Sequence, residues 1–279
     1  MQVLVTGATG SVGRHLVAEL IRHGARVRAL VRDAGAAGLP AGVEAAVGDL
    51  NRPETLRPAV AGVDAVFLLW PSMSAAGAAE AVEVLAGPGR HVCYLSAMNV
   101  RDDRDPAANG VWGQVEDLVR RSGADWTFLR AGGFATNTLG WAADIAATGE
   151  IRWVYGEAGR SLLHERDIAA VAALALTDRR HVGATYVLTG PEVVTQIEQA
   201  RLIGEAIGRP VRWVELPVED ARRQLLAEWG DPAVVDASLA YWAGLVASPE
   251  PVTRAVEEIT GAPARSFRQW AVDHADDFR

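Results

Sequence analysis

The chain has no lysine at all; every one of its 27 basic residues is arginine. That excludes Schiff-base chemistry, a phosphate-loop lysine and any tyrosine–lysine proton-donor pair. It has one cysteine, Cys93, so no disulfide forms within the chain, and the apolar setting of Cys93 reads as a strand. No apolar run approaches the ~20 residues of a membrane span, and no basic tail or patch occurs. With a net charge of −8, nucleic acid is not an expected partner. The chain opens directly on a strand-like run without a charged leader, and a cytoplasmic location is expected. No His, Cys, Asp and Glu residues share metal-ligand spacing, so no metal is expected.

What is present begins at the N-terminus. Val3-Leu4-Val5 leads into Gly7, Gly10 and Gly13, spaced G-x-x-G-x-x-G, and Val12, Leu16, Val17, Leu20 and Ile21 follow at helical spacing. A strand, a glycine turn and a helix N-terminus in that order suit an anionic pyrophosphate. Gly7 allows the tight turn, Gly10 the approach to phosphate and Gly13 close helix packing. Thr9, Ser11 and Val12 complete the candidate turn. At the second strand's end stands Arg32, where a guanidinium suits a 2′-phosphate. The neighbouring Asp33 keeps the alternative, a ribose-binding carboxylate, open. NADP(H) is therefore the preferred cofactor, with NAD(H) second. Asp49 is placed to accept from an adenine amino group, with Leu50 against the ring, and Leu69 and Trp70 follow the fourth strand.

Strand patterns at 2–6, 26–31, 43–47, 64–69, 91–95 and 125–130 alternate with helix patterns at 11–23, 53–60, 75–86 and 110–122. This predicts an α/β, Rossmann-type doubly wound parallel sheet. A helix is expected over 167–176 with Asp167 as its N-cap, and a capping box at Thr195–Glu198 opens another that ends at Gly208. The expected domains are a dinucleotide-binding domain over 1–190, with 131–165 contributing to the cleft, and a smaller, mostly helical substrate lobe over 191–279.

Ser96 ends the fifth strand, where a hydroxyl can orient a substrate carbonyl or touch the cofactor, yet the following helix offers it neither tyrosine nor lysine. Ser96 and His164 are the candidate catalytic residues, His164 as a proton donor near neutral pH.

Gly7-Ala8-Thr9-Gly10-x-x-Gly13, Leu30-Val31-Arg32, Gly48-Asp49-Leu50, Leu129-Arg130 through Phe134 and Asn137, and Asp167-Ile168-Ala169 resemble the NmrA-like family of atypical short-chain dehydrogenases. Tyr186 to Pro191 and Ile207 to Val211 extend the resemblance over nearly the whole chain. Ala131 departs from it, where members often carry proline. The resemblance implies NADP(H) binding and a C-terminal substrate lobe, near quinone and triphenylmethane reductases. It places Met98, Trp112, Phe134, Asn137 and Trp141 around a flat or aromatic substrate. The expected activity is NADPH-dependent reduction of an electron-poor small molecule such as a quinone, enone or iminium. The alternative is a non-enzymatic NADP(H) sensor acting through a protein partner.

Overall fold

The computed structural model describes all residues from Met1 to Arg279. In chain order its elements are β1 (Gln2–Val5), α1 (Ser11–Arg22), β2 (Arg26–Val31), β3 (Glu44–Val47), β4 (Ala65–Leu68), α2 (Ala78–Leu85) and β5 (His91–Ala97). Then come α3 (Gly110–Arg121), β6 (Asp125–Ala131), α4 (Ala142–Thr148), β7 (Glu150–Trp153), β8 (Gly159–Arg160), α5 (Glu165–Thr177) and β9 (Thr185–Leu188). The remainder is β10 (Val194–Thr195), α6 (Gln196–Ile207), β11 (Arg212–Glu215), α7 (Val218–Trp229), α8 (Pro232–Ala247), α9 (Ala255–Thr260) and α10 (Phe267–Asp273).

The chain forms two compact units: residues 1–132, 165–188 and 255–262, and residues 133–164, 189–254 and 263–279. The first contains a seven-stranded sheet in the order β3-β2-β1-β4-β5-β6-β9, all neighbours parallel. Central strands β1 and β4 are buried along their whole length. That is why they read as unbroken apolar runs: helices cover both faces. The chain steps one way from β1 to β3 and the other way from β4 on. The carboxyl ends of β1 and β4 therefore flank the switch point, where such sheets hold ligands. Behind it α1 packs on α5, whose inner face is rich in alanine (Ala169, Ala172, Ala173) and so admits close approach.

Several local expectations shift for physical reasons. The helix expected over 53–60 is only a 3₁₀ turn at Pro53–Thr55. Pro58 has no N–H to continue it and its ring would crowd an α-helix. Gly77, with φ +77°, delays α2 to Ala78. Helix α5 starts at Glu165, so Asp167 sits inside its first turn and is not the N-cap. Half of the expected capping box forms: Thr195 Oγ1 accepts from the Glu198 N–H at 3.2 Å, while the Glu198 carboxylate is bonded to Arg201; Gly208 ends α6 in the left-handed region.

The second unit has two small sheets, β8 with β10 and β7 with β11, and helices α4, α6, α7, α8 and α10. Its core gathers Ile145, Ile151, Leu202, Ile203, Phe267, Trp270 and Phe278. No helix of the protein is long and apolar enough to cross a membrane.

Candidate functional site

The glycine turn is built as its spacing requires. Gly7 has φ +63°, a conformation that side chains rarely adopt. The Gly10 N–H donates to the Gly7 carbonyl at 3.0 Å and closes the turn. A Cβ on Gly13 would lie 2.0 Å from the Gly7 carbonyl oxygen and 2.7 Å from Ala8 Cα. Only glycine lets α1 sit this close to β1. Thr6, fully buried, fixes the neighbouring strand: its Oγ1 accepts from the Leu69 N–H at 2.8 Å.

Beside this turn lies a groove of about 610 Å³, wholly within the first unit. It brings together six of the sequence-predicted residues: Gly7, Thr9, Arg32, Asp49, Leu50 and Leu69. Gly10, Ser11, Val12 and Gly13 form the adjoining turn and the start of α1; Ser11 is exposed, Val12 and Gly13 are buried. Arg32 is exposed and its guanidinium pairs with no group of the protein. Asp33, the competing carboxylate, also lines the groove, and its Oδ1 accepts from the Gly35 N–H at 2.8 Å. Asp49 Oδ1 holds the Asn51 N–H at 2.9 Å. Asp49 thus both caps a turn and faces the groove.

Trp70 takes another place. It is 8% exposed, belongs to the core of the first unit, and donates its indole N–H to the Ser74 carbonyl at 2.8 Å. Its neighbours Leu69 and Pro71 line the groove; its own ring does not.

Ser96 is also occupied. It lies opposite Arg130 in the β5–β6 register. Its Oγ donates to Glu116 Oε1 at 2.6 Å. Glu116 is fully buried and takes two more bonds from Arg130, at 3.0 and 2.8 Å. Arg130 continues to Asp102 at 2.6 and 3.1 Å, and Arg120 lies 3.4 Å from Glu116. The hydrogen bond to Glu116 holds the Arg130 guanidinium above its ordinary pKa, and the bond from Arg130 holds Asp102 below its own. A serine has one proton to give, and here it goes to a buried carboxylate. The hydroxyl expected to orient a carbonyl is, in this structure, a member of a buried ion network.

His164 is 1% exposed, with Nε2 3.4 Å from Asp273 Oδ2 and its ring 6.4 Å from that of His274. It lines neither the groove nor the second cavity described below.

That second cavity, about 550 Å³, lies wholly in the second unit and brings Asn137 and Trp141 together. Phe134 bridges to Leu163 in the same unit and does not line it. Met98 and Trp112 belong to the first unit. Met98 is tied to Ala131 by a 2.9 Å main-chain bond, and Trp112 packs against the core from α3. Cys93 is fully buried, and burial pushes its thiol pKa up, away from any nucleophilic role.

One candidate escaped the sequence reading. Arg14 sits in the first turn of α1, exposed and paired with no side chain, in a turn without any acid. A cation there opposes the helix dipole. That local conflict was the available signal that an anion belongs nearby.

A parallel sheet with a glycine-turned groove at its switch point defines a dinucleotide-binding α/β protein. The NmrA-like family model matches residues 1–243, and the chain belongs to that family. It is 38% identical over 282 residues to a (4-alkanoyl-5-oxo-2,5-dihydrofuran-3-yl)methyl phosphate reductase of Streptomyces griseus, covering 99% of both chains. It is 35% identical to an NAD(P)H azoreductase of Xenophilus azovorans, again over 99% of each. Among solved structures, the fold is similar to a Citrobacter triphenylmethane reductase complexed with NADP(H), with TM-score 0.80, 23% identity and 98% and 99% of the two chains covered. It is also similar to an Escherichia coli NADPH-dependent quinone oxidoreductase, with TM-score 0.77, 20% identity and 97% and 98% covered.

Proposed function

We propose that this protein is an NADP(H)-dependent reductase of an electron-poor, conjugated small molecule. The observation that carries the reading is the unpaired Arg32 in the groove beside the glycine turn, while the neighbouring Asp33 has one oxygen engaged by its own loop. The residues fit the cofactor. The Gly7–Gly13 turn and the α1 N-terminus receive the pyrophosphate. Arg32 takes the 2′-phosphate as a charge-assisted clamp. The free carboxylate oxygen of Asp49 accepts from the adenine amino group, and Leu50 packs on the ring. Leu69 lies along the nicotinamide side.

When bound, NADPH supplies a hydride. The protein's part is to hold donor and acceptor in line and to exclude water. With no lysine in the chain and the Ser96 proton committed to Glu116, the acceptor is one that takes hydride without strong acid help. A quinone, an enone or an extended cation places the incoming charge on an already electron-poor system, and protonation follows from solvent. The names of the two relatives, an azo reductase and a reductase of an unsaturated lactone, support that class. Asn137 and Trp141 are assigned to the substrate.

The test is anaerobic turnover, read as loss of reduced-nicotinamide absorbance, with menadione, an azo dye and a triphenylmethane dye. Consumption of NADPH equal to the acceptor added is expected for at least one. Tight NADPH binding with no turnover of any of them would overturn the reductase reading and leave a cofactor sensor.

A further inference from the structure

We propose that the cavity of the second unit is a binding site for a flat aromatic anion, with Arg160 as its anchor. As a binding site it stands without the reductase reading; as the place of a substrate's anionic group it rests on that reading.

Four tryptophans line this cavity: Trp141, Trp153, Trp229 and Trp242. Trp153 and Trp242 meet edge to face at 5.9 Å, and Trp242 and Trp229 at 6.3 Å. The three rings make a continuous aromatic wall, and Trp229 is 41% exposed. Large aromatic area left facing a cavity is the chemistry of a stacking site.

Arg160 supplies the polar anchor. Its Nε donates to Glu250 Oε1 at 3.2 Å, and this is its only bond within the protein. Glu250 is itself satisfied by the Ser161 N–H at 3.0 Å and the Tyr241 hydroxyl at 2.7 Å. The guanidinium is thus oriented by one edge, and neither terminal amine has a partner within the protein. A fork of free N–H donors fits two oxygens of a carboxylate, sulfonate or phosphate. Gly133 makes room for it: a Cβ there would lie 2.2 Å from an Arg160 terminal nitrogen. Arg152 also lines the cavity, but it is exposed and 3.8 Å from Glu150, so its charge is screened. The acids that also line the cavity, Asp144 and Glu228, are exposed, where solvent screens them. Arg160 is half-buried, where its bonds count for more.

The experiment is calorimetric titration without any cofactor, using 2-naphthalenesulfonate, 1-naphthyl phosphate and neutral 2-naphthol. None of the three accepts hydride, so failure of the reductase reading leaves the result intact. At least one anion is expected to bind tenfold or more tighter than naphthol, and the tighter of the two identifies the anionic group. Arg160→Gln should remove at least tenfold of the anion's affinity and leave that of naphthol within threefold. Gly133→Ala, whose Cβ displaces the guanidinium, should cost the anion at least threefold and decides the matter if Arg160→Gln does not fold. Arg32→Ala should leave all three affinities unchanged, separating this cavity from the cofactor groove. Naphthol binding as tightly as both anions, an anion affinity indifferent to Arg160, or loss of binding in Arg32→Ala would each overturn the proposal.

Discussion

Replacing Ser96 with alanine separates a structural serine from a catalytic one. The substitution deletes the 2.6 Å bond to Glu116, a carboxylate with no solvent exposure. A hydrogen bond to a charged group contributes ~1.5–3 kcal/mol. Glu116 keeps its two bonds from Arg130, at 3.0 and 2.8 Å, so the loss belongs in the lower half of that range, about 1.5–2 kcal/mol. For a chain of this size that lowers the melting temperature by roughly 3–6 °C. NADPH turnover with an accepted quinone should stay within about twofold of wild type, since the hydroxyl proton was never offered to substrate. A double-mutant cycle with Glu116→Gln should give a coupling of about 1 kcal/mol. An unchanged melting temperature together with a tenfold fall in kcat would refute the reasoning and return Ser96 to the reacting atoms.

Three further outcomes follow from single contacts. Gly13→Ala forces a Cβ to within 2.0 Å of main-chain oxygen, and neither partner is a side chain that can swing away. A loss of about 3 kcal/mol in urea unfolding is expected, the upper end of overpacking costs; an unchanged midpoint would contradict the close helix–strand approach. His91 is buried, donating from Nε2 to Thr127 Oγ1 at 2.9 Å because the Thr127 proton already goes to the His181 carbonyl. Desolvation lowers its pKa to about 4 from 6.5. The unfolded chain therefore binds the proton first on acidification. His91 contributes fully above pH 6.5, and up to about 3 kcal/mol is lost as pH falls from there to 4. The difference in stability between wild type and His91→Asn should shrink across that window; a difference that is flat with pH would refute it. Arg14→Gln should weaken NADPH and NADH binding alike, by roughly threefold to tenfold in an equilibrium titration; unchanged affinities would remove Arg14 from the pyrophosphate.

The cofactor side of the molecule was legible because its signals are local. The glycine triplet lies within seven residues, and its strand and helix flank it directly. Arg32 was readable because a strand end fixes its place, while the turn that occupies Asp33 depends on the Gly35 N–H and leaves no trace in composition. The Ser96 network was not legible. Glu116 lies 20 residues from Ser96 and 14 from Arg130. The three meet only because β5 and β6 pair in a register that sets Ser96 beside Arg130, with α3 crossing above. The second cavity was half visible. Asn137 and Trp141 came from the family resemblance. Trp229 and Trp242 lie at the end of α7 and in α8, and α8 (Pro232–Ala247) is apolar on nearly every face, so no stripe marked which side turns inward.

The role proposed for Arg32 is to hold NADP(H) in the groove beside the glycine turn. Its most direct test is equilibrium titration with NADPH and NADH, followed by quenching of the nine tryptophans, for wild type and Arg32→Ala. Losing a charge-assisted phosphate clamp removes ~1.5–3 kcal/mol, roughly tenfold to a hundredfold in affinity. Wild type should prefer NADPH by such a factor, and Arg32→Ala should erase the preference while NADH binding stays unchanged. Equal affinity for the two cofactors in wild type, or a preference that survives the loss of Arg32, would contradict it.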